Sequence, residues 1–238
     1  MKKKNIALAS VAIIAMIISG CGSSGGGDST ATTVTVERGP VFGATVTDSS
    51  TPVKTAVNTA GTNQYVFAST PTYPITVTDG FIDANYDGVI TAGVDYPLDL
   101  PLVAERGLNI TPLTTYIADL NDTEEETLAA TIGATVTELT DLPSAATGVI
   151  VAAVNSAYAA LVTETLNPGT DIEAAFNSSF DLLQSETIVS DNVTSDNITS
   201  EDLADIEKNI NDTLGLIPLT EDEIEDDNDN TTSDNITE

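Results

Sequence analysis

The chain has 238 residues, of which 37 are acidic and seven basic, for a formal net charge of −30 at pH 7. It contains no histidine and one cysteine, Cys21. That excludes histidine-based triads and the usual zinc sites, leaves no cysteine pair for a disulfide, and means that a surface this acidic repels nucleic acid and attracts divalent cations.

Lys2, Lys3 and Lys4 open the chain, and Asn5 to Ile18 forms an apolar run too short for a comfortable membrane span. The small residues Ser19 and Gly20 then precede Cys21. The string Ile18-Ser19-Gly20-Cys21 resembles the lipobox of bacterial lipoproteins. The resemblance implies that residues 1–20 are a signal peptide, that Cys21 is acylated and becomes the N-terminus, and that the lipid bilayer is a partner. More than one acyl chain on that cysteine gives durable attachment. The implied location is the bacterial cell envelope; Gly22, where an aspartate favours inner-membrane retention, points toward the outer membrane. An ordinary secretory peptide with an incidental cysteine is the alternative. Cleavage removes three lysines and leaves Arg38, Lys54, Arg106 and Lys208 as the only basic side chains.

Residues 21–32 are rich in glycine and serine and read as a tether. From 33 to 105 the pattern is that of short strands, placed at Thr33–Glu37, Val41–Thr47, Val53–Thr59, Tyr65–Ala68, Tyr73–Thr78 and Leu98–Val103. Several alternate with period two, as in Val34/Val36, Ile75/Val77 and Leu98/Leu100/Leu102, and Gly-Pro or Ser/Thr/Asn clusters separate them. The motifs beginning at Gly39-Pro40-Val41, Gly61-Thr62-Asn63 and Pro71-Thr72-Tyr73 are similar to those of the carboxypeptidase-regulatory-like, or transthyretin-like, β-sandwich. The resemblance implies a small antiparallel sandwich and says little about activity.

Within this region Asp83-Ala84-Asn85-Tyr86-Asp87-Gly88-Val89-Ile90-Thr91 matches the first nine positions of an EF-hand or dockerin-type loop. Calcium takes six to eight oxygens. Alternate oxygens from Asp83, Asn85 and Asp87 converge on one ion, Gly88 permits the turn, Val89 offers its carbonyl, Ile90 anchors the loop to the core, and Thr91 supplies a hydroxyl or a bridging water. The bidentate acid expected at the twelfth position is replaced by Val94, so Asp95, or Asp79 from the preceding strand, is left to complete the site. Either departure moves affinity toward the extracellular range of about 10⁻⁴ to 10⁻³ M. A plain hairpin turn at Asp87-Gly88 is the competing account.

After Arg106 the period becomes helical. Thr111-Pro112 reads as a cap and first helical residue, and Thr123-Glu124-Glu125-Glu126 and Thr170-Asp171-Ile172-Glu173 read as capping boxes. Pro143 starts the helix carrying Ile150, Val151, Val154, Tyr158, Leu161 and Val162, an uncharged stretch expected as a buried central helix. Ser200 starts a last helix with Leu203, Ile206, Ile210 and Leu214. Residues 106–218 are therefore expected as a helical bundle and 219–238 as a disordered acidic tail. Asp119-Leu120-Asn121-Asp122-Thr123 fits a bacterial glycosylation sequon at Asn121, although helix capping also accounts for it.

The fold class expected is α+β. The function expected is that of a non-enzymatic envelope lipoprotein with a structural Ca²⁺ loop, acting as a surface interaction or scaffold module toward an unknown protein or glycan. An adhesin or carbohydrate-binding module presenting Tyr73, Tyr86 and Tyr96, or an accessory domain of a surface hydrolase, is the alternative.

Overall fold

A computed structural model describes residues 30–146, 148–185, 208, 217 and 218. The signal peptide, Cys21, most of the tether, the helix expected from Ser200 and the acidic tail lie outside the described residues, apart from Lys208, Ile217 and Pro218. The chain is α+β. Its strands are β1 (Thr32–Val36), β2 (Val41–Phe42), β3 (Thr45–Asp48), β4 (Val57–Asn58), β5 (Gln64–Phe67), β6 (Ile75–Thr78), β7 (Phe81–Ile82), β8 (Tyr96–Pro97), β9 (Leu102–Ala104) and β10 (Asn109–Ile110). The helices α1 (Pro112–Ile117), α2 (Asp122–Ile132), α3 (Gly148–Leu166) and α4 (Ile172–Ser185) follow.

The strands form three small sheets, in the orders β10-β1-β5-β4, β3-β6-β9 and β2-β7-β8. All pairings are antiparallel except that of β1 with β10, which is parallel. Alternation decides which side chains turn inward. Val34 and Val36, Tyr65 and Phe67, and Ile75 and Val77 are fully buried, while the residues between them are not. The strand expected over Val41–Thr47 is broken at Gly43, whose φ of 64° suits glycine, so β2 and β3 pair in different sheets. Tyr65 spans that break. Its hydroxyl donates to the Val41 carbonyl at 3.0 Å and accepts the Ala44 N–H at 3.0 Å.

In the helical part, Thr111 caps α1 in a reciprocal box with Thr114. The cap of α2 is Asn121, two residues before the expected Thr123; its Oδ1 accepts from the Thr123 and Glu124 N–H groups, and Glu124 reaches back to the Asn121 N–H. Pro143 opens only a short 3₁₀ turn, Pro143–Ala145, before α3 begins. Asp171 caps α4 by accepting the Ala174 N–H at 3.0 Å.

Helix α3 is the centre of the molecule. Every residue from Val151 to Ala160 is buried. Ile150, Val151, Val154 and Ala157 pack among the other helices, whereas Tyr158 and Val162 join the core of the strands. Among the described residues it is the one helix long and apolar enough to cross a membrane, and about 67% of its most apolar stretch is buried inside the fold.

Replacing Tyr65 by Phe strands two buried backbone groups at the Gly43 break. The expected loss is about 1–3 kcal/mol, read by circular dichroism as a fall in Tm of roughly 2–4 °C per kcal/mol. An unchanged Tm would show that the hydroxyl does not hold the break together.

Candidate metal centre

Strand β7 runs into the loop and β8 returns from it, paired antiparallel with Ile82 opposite Tyr96. This register sets Asp83 and Asp95 at the two ends of the same loop, beside one another at its base. The entry is fixed from below: the Asp83 N–H donates to the Pro40 carbonyl at 2.9 Å. A Cβ on Gly39 would lie 2.5 Å from the Asp83 carbonyl oxygen, so only glycine allows that approach.

The two carboxylates are almost completely out of solvent, Asp83 at 1% exposure and Asp95 at 0%. Each is met by backbone N–H groups. Asp83 accepts from Gly88 at 2.8 Å and Asp87 at 3.2 Å, wrapping the first turn of the loop around itself. Asp95 accepts from Ala84 at 2.9 Å and Thr91 at 2.6 Å, pinning both sides of the loop. Tyr86 and Gly88 take positive φ, 58° and 80°, to make the turn. Asn85 Nδ2 donates to Asp87 Oδ2 at 2.9 Å, and Asp87 Oδ1 accepts the Val89 N–H at 2.8 Å. The Thr91 hydroxyl donates to the Val89 carbonyl at 3.3 Å, which places those two oxygens side by side.

Burial pushes both buried carboxyls above the usual aspartate range. The backbone hydrogen bonds pull them down, but not far enough, and neighbouring negative charge adds to the rise: Asp87 acts on Asp83, while Asp83 and Asp87 act on Asp95. The loop is therefore a place where negative charge is held against both desolvation and mutual repulsion.

Of the sequence-derived ligands, the loop brings Asp83, Asn85, Asp87, Val89, Thr91 and Asp95 into one short circuit of hydrogen bonds. Asp79 is placed elsewhere, exposed in the turn before β7 with its carboxylate accepting from Thr78. Ile90 is only half-buried. The anchor is Tyr86, which packs against the helical core and donates its hydroxyl to the Arg38 carbonyl at 3.3 Å. An aromatic between two ligand positions was the one available signal, and a loop pattern alone does not say which side chain turns inward.

The donor chemistry suits a hard cation: carboxylate, amide, carbonyl and hydroxyl oxygens, with no nitrogen or sulfur ligand. Each carboxylate oxygen that accepts one N–H keeps a second lone pair. Among the described residues, however, no group of three or more His, Cys, Asp or Glu side chains is gathered tightly enough to grip an ion as it stands. Closure on a cation would use the second lone pair of Asp87 Oδ2 or displace the Asn85 amide from it.

Tyr96 is buried, and Tyr73 and Tyr86 are half-buried; the Tyr73 hydroxyl donates to the Gly107 carbonyl at 2.6 Å. These three do not form an exposed sugar platform. Asn121 is exposed, with its side-chain oxygen engaged as the α2 cap. The chain matches no family model, no curated protein and no solved structure.

A carboxyl whose folded pKa lies above its unfolded value of 3.8 binds more protons folded than unfolded in the interval between them. Stability in metal-free buffer therefore rises as pH falls from 7 through the folded pKa values of Asp83 and Asp95, and the gain is complete below the unfolded value. Urea denaturation across pH 7 to 4 is expected to show this rise, reduced in Asp83→Asn/Asp95→Asn. The same slope in both proteins would place the effect elsewhere in the acidic chain.

Proposed function

We propose that the protein is a non-enzymatic lipoprotein of the bacterial cell envelope, held by acylated Cys21 and rigidified by one structural Ca²⁺ in the 83–95 loop. The observation that carries the calcium reading is the burial of two carboxylates, Asp83 and Asp95, beside the further charge of Asp87. A divalent cation there removes the mutual repulsion and ties the two ends of the loop to its middle. Its ligands would be Asp83, Asn85, Asp87, the Val89 carbonyl, Thr91 and Asp95.

The ion's role is structural. It stiffens a loop seated on the helical core through Tyr86, and so stabilises the junction between strands and helices. The anchor and a Gly/Ser tether place this body at the membrane surface, with the outer membrane favoured by Gly22. There it acts as an interaction or scaffold module.

Isothermal calorimetry of the full chain is expected to show one saturable Ca²⁺ site with Kd of about 10⁻⁴ to 10⁻³ M, absent in Asp87→Ala. At a hundredfold excess over Kd the ion adds about 2.7 kcal/mol to stability, seen as a rise in Tm that the variant lacks. Equal heats from the two proteins would remove the site.

The anchor is tested separately. Expressed in a bacterial host, the wild-type chain is expected in the membrane fraction with an acylated N-terminal cysteine by mass spectrometry, and Cys21→Ala is expected in the soluble fraction. An unacylated Cys21 would refute the anchor without touching the calcium loop.

A further inference from the structure

A second feature lies on the opposite kind of surface, among the helices. A cleft of about 330 Å³ opens between α2 and α4, with α1 and α3 beneath it. That volume is at the small end of the range for small-molecule sites. Its floor is apolar and aromatic: Tyr116, Leu120 and Leu161 line it. Tyr116 is held in place from behind, its ring stacked on Phe176 at 4.8 Å, with Phe176 stacked in turn on Phe180 at 5.8 Å. Asp119, Glu124 and Glu173 line the same cleft, one from each of three different segments, and none of the lining residues is basic.

Among the described residues, no ion pair is found on Asp119, Glu124 or Glu173. Lys54 pairs with Asp48 and Arg106 with Glu125, both away from this cleft. Glu124 is positioned by the cap of α2, where its Oε2 accepts the Asn121 N–H at 2.9 Å, leaving Oε1 for another partner. The charge of one of these acids, Glu173, is felt by Tyr116. Burial first, then the charges of Glu173 and Asp171, push its hydroxyl up to about 12. The ring is a neutral phenol, as any tyrosine is at neutral pH, and its electron-rich face suits a cation.

We propose that this cleft binds a small organic cation with an apolar body, such as an alkyl- or arylammonium compound, its charge set among Asp119, Glu124 and Glu173 and its apolar part on Tyr116, Leu120 and Leu161. The chemistry follows from complementarity. An apolar floor alone accepts any greasy molecule, but a rim of one sign rejects anions and rewards cations. A bare metal ion gains nothing from the aromatic floor. The site is independent of the calcium loop.

The probe is benzyltrimethylammonium, titrated into the full chain at low salt and followed by amide chemical shifts in two-dimensional NMR. Saturable shifts centred on Tyr116, Leu120 and Leu161 are expected, with Kd of millimolar order for so small a ligand. Asp119→Asn/Glu173→Gln, which changes two exposed side chains and keeps their shape, is expected to weaken binding about fivefold without altering Tm. Neutral benzyl alcohol is expected to bind more weakly than the cation. The proposal is overturned if the shifts do not saturate, if they centre on residues 83–95 instead, if the double variant binds as the wild type does, or if benzyl alcohol binds equally well.

Discussion

A carboxylate removed from water must be met by donors, and a chain with seven basic residues against 37 acids has few cations to offer. The fold answers with backbone N–H groups. Asp48, buried at the end of β3, accepts from the Ser50, Lys54 and Thr72 N–H groups and from the Ser50 hydroxyl, and so gathers two loops around one side chain. Burial works against its ionisation, but these donors outweigh it and hold the carboxyl well below the usual range. Glu37 is met by the N–H and hydroxyl of Ser144, at 2.6 and 2.8 Å, which joins the end of β1 to the 3₁₀ turn before α3. Glu125 receives an arginine, with both oxygens bonded to the guanidinium of Arg106. Asp83 and Asp95 belong to the same set. As at Glu37, their donors do not offset burial; they differ in that a third acid stands beside them.

That difference separates structural acids from a candidate ion site. At Asp48 four donors converge on one carboxylate, and its charge is comfortable. In the 83–95 loop two carboxyls are buried and raised in pKa, with the exposed Asp87 beside them, in a segment whose tip is seated on the helical core by Tyr86. The junction between layers is otherwise built from packing. Tyr158 and Val162 of α3 enter the strand core, and the Arg38 guanidinium lies 3.9 Å from the centre of the Tyr158 ring. An ion in the loop would therefore act close to the seam that makes strands and helices one body.

Much of this was legible in the chain. The period-two pairs at Val34/Val36 and Ile75/Val77 point inward as expected, whereas the helices begin later than Arg106, at Pro112, because β10 (Asn109–Ile110) still pairs with β1. What escaped was too short to carry a period. Strands β7, β8 and β10 have two residues each: β7 pairs with the equally short β2 and β8, and β10 lies beside the five-residue β1. The apolar Leu98 and Leu100 alternate like a strand and are buried, yet only Leu102–Ala104 pairs in the sheet, with β6. The cap of α2 moved to Asn121 because an Asn side chain can accept from two successive N–H groups, an option that a Ser/Thr-x-x-Glu pattern overlooks. In the loop, spacing identified the oxygen-bearing residues, while burial and pairing across β7 and β8 favoured Asp95 over Asp79 as the acid nearest Asp83. Neither Glu37 nor Arg38 stood out, because their burial depends on contacts with residues more than a hundred positions away.

The central claim is that oxygens of Asp83, Asp87 and Asp95 close on a single calcium ion. Crystals grown in millimolar calcium, with anomalous differences recorded at long wavelength, test it directly. The account predicts one anomalous peak in the 83–95 loop, with carboxylate oxygens of all three residues about 2.3–2.6 Å away. A well-ordered loop with no peak, and Asp87 still bonded to the Asn85 amide, would contradict it.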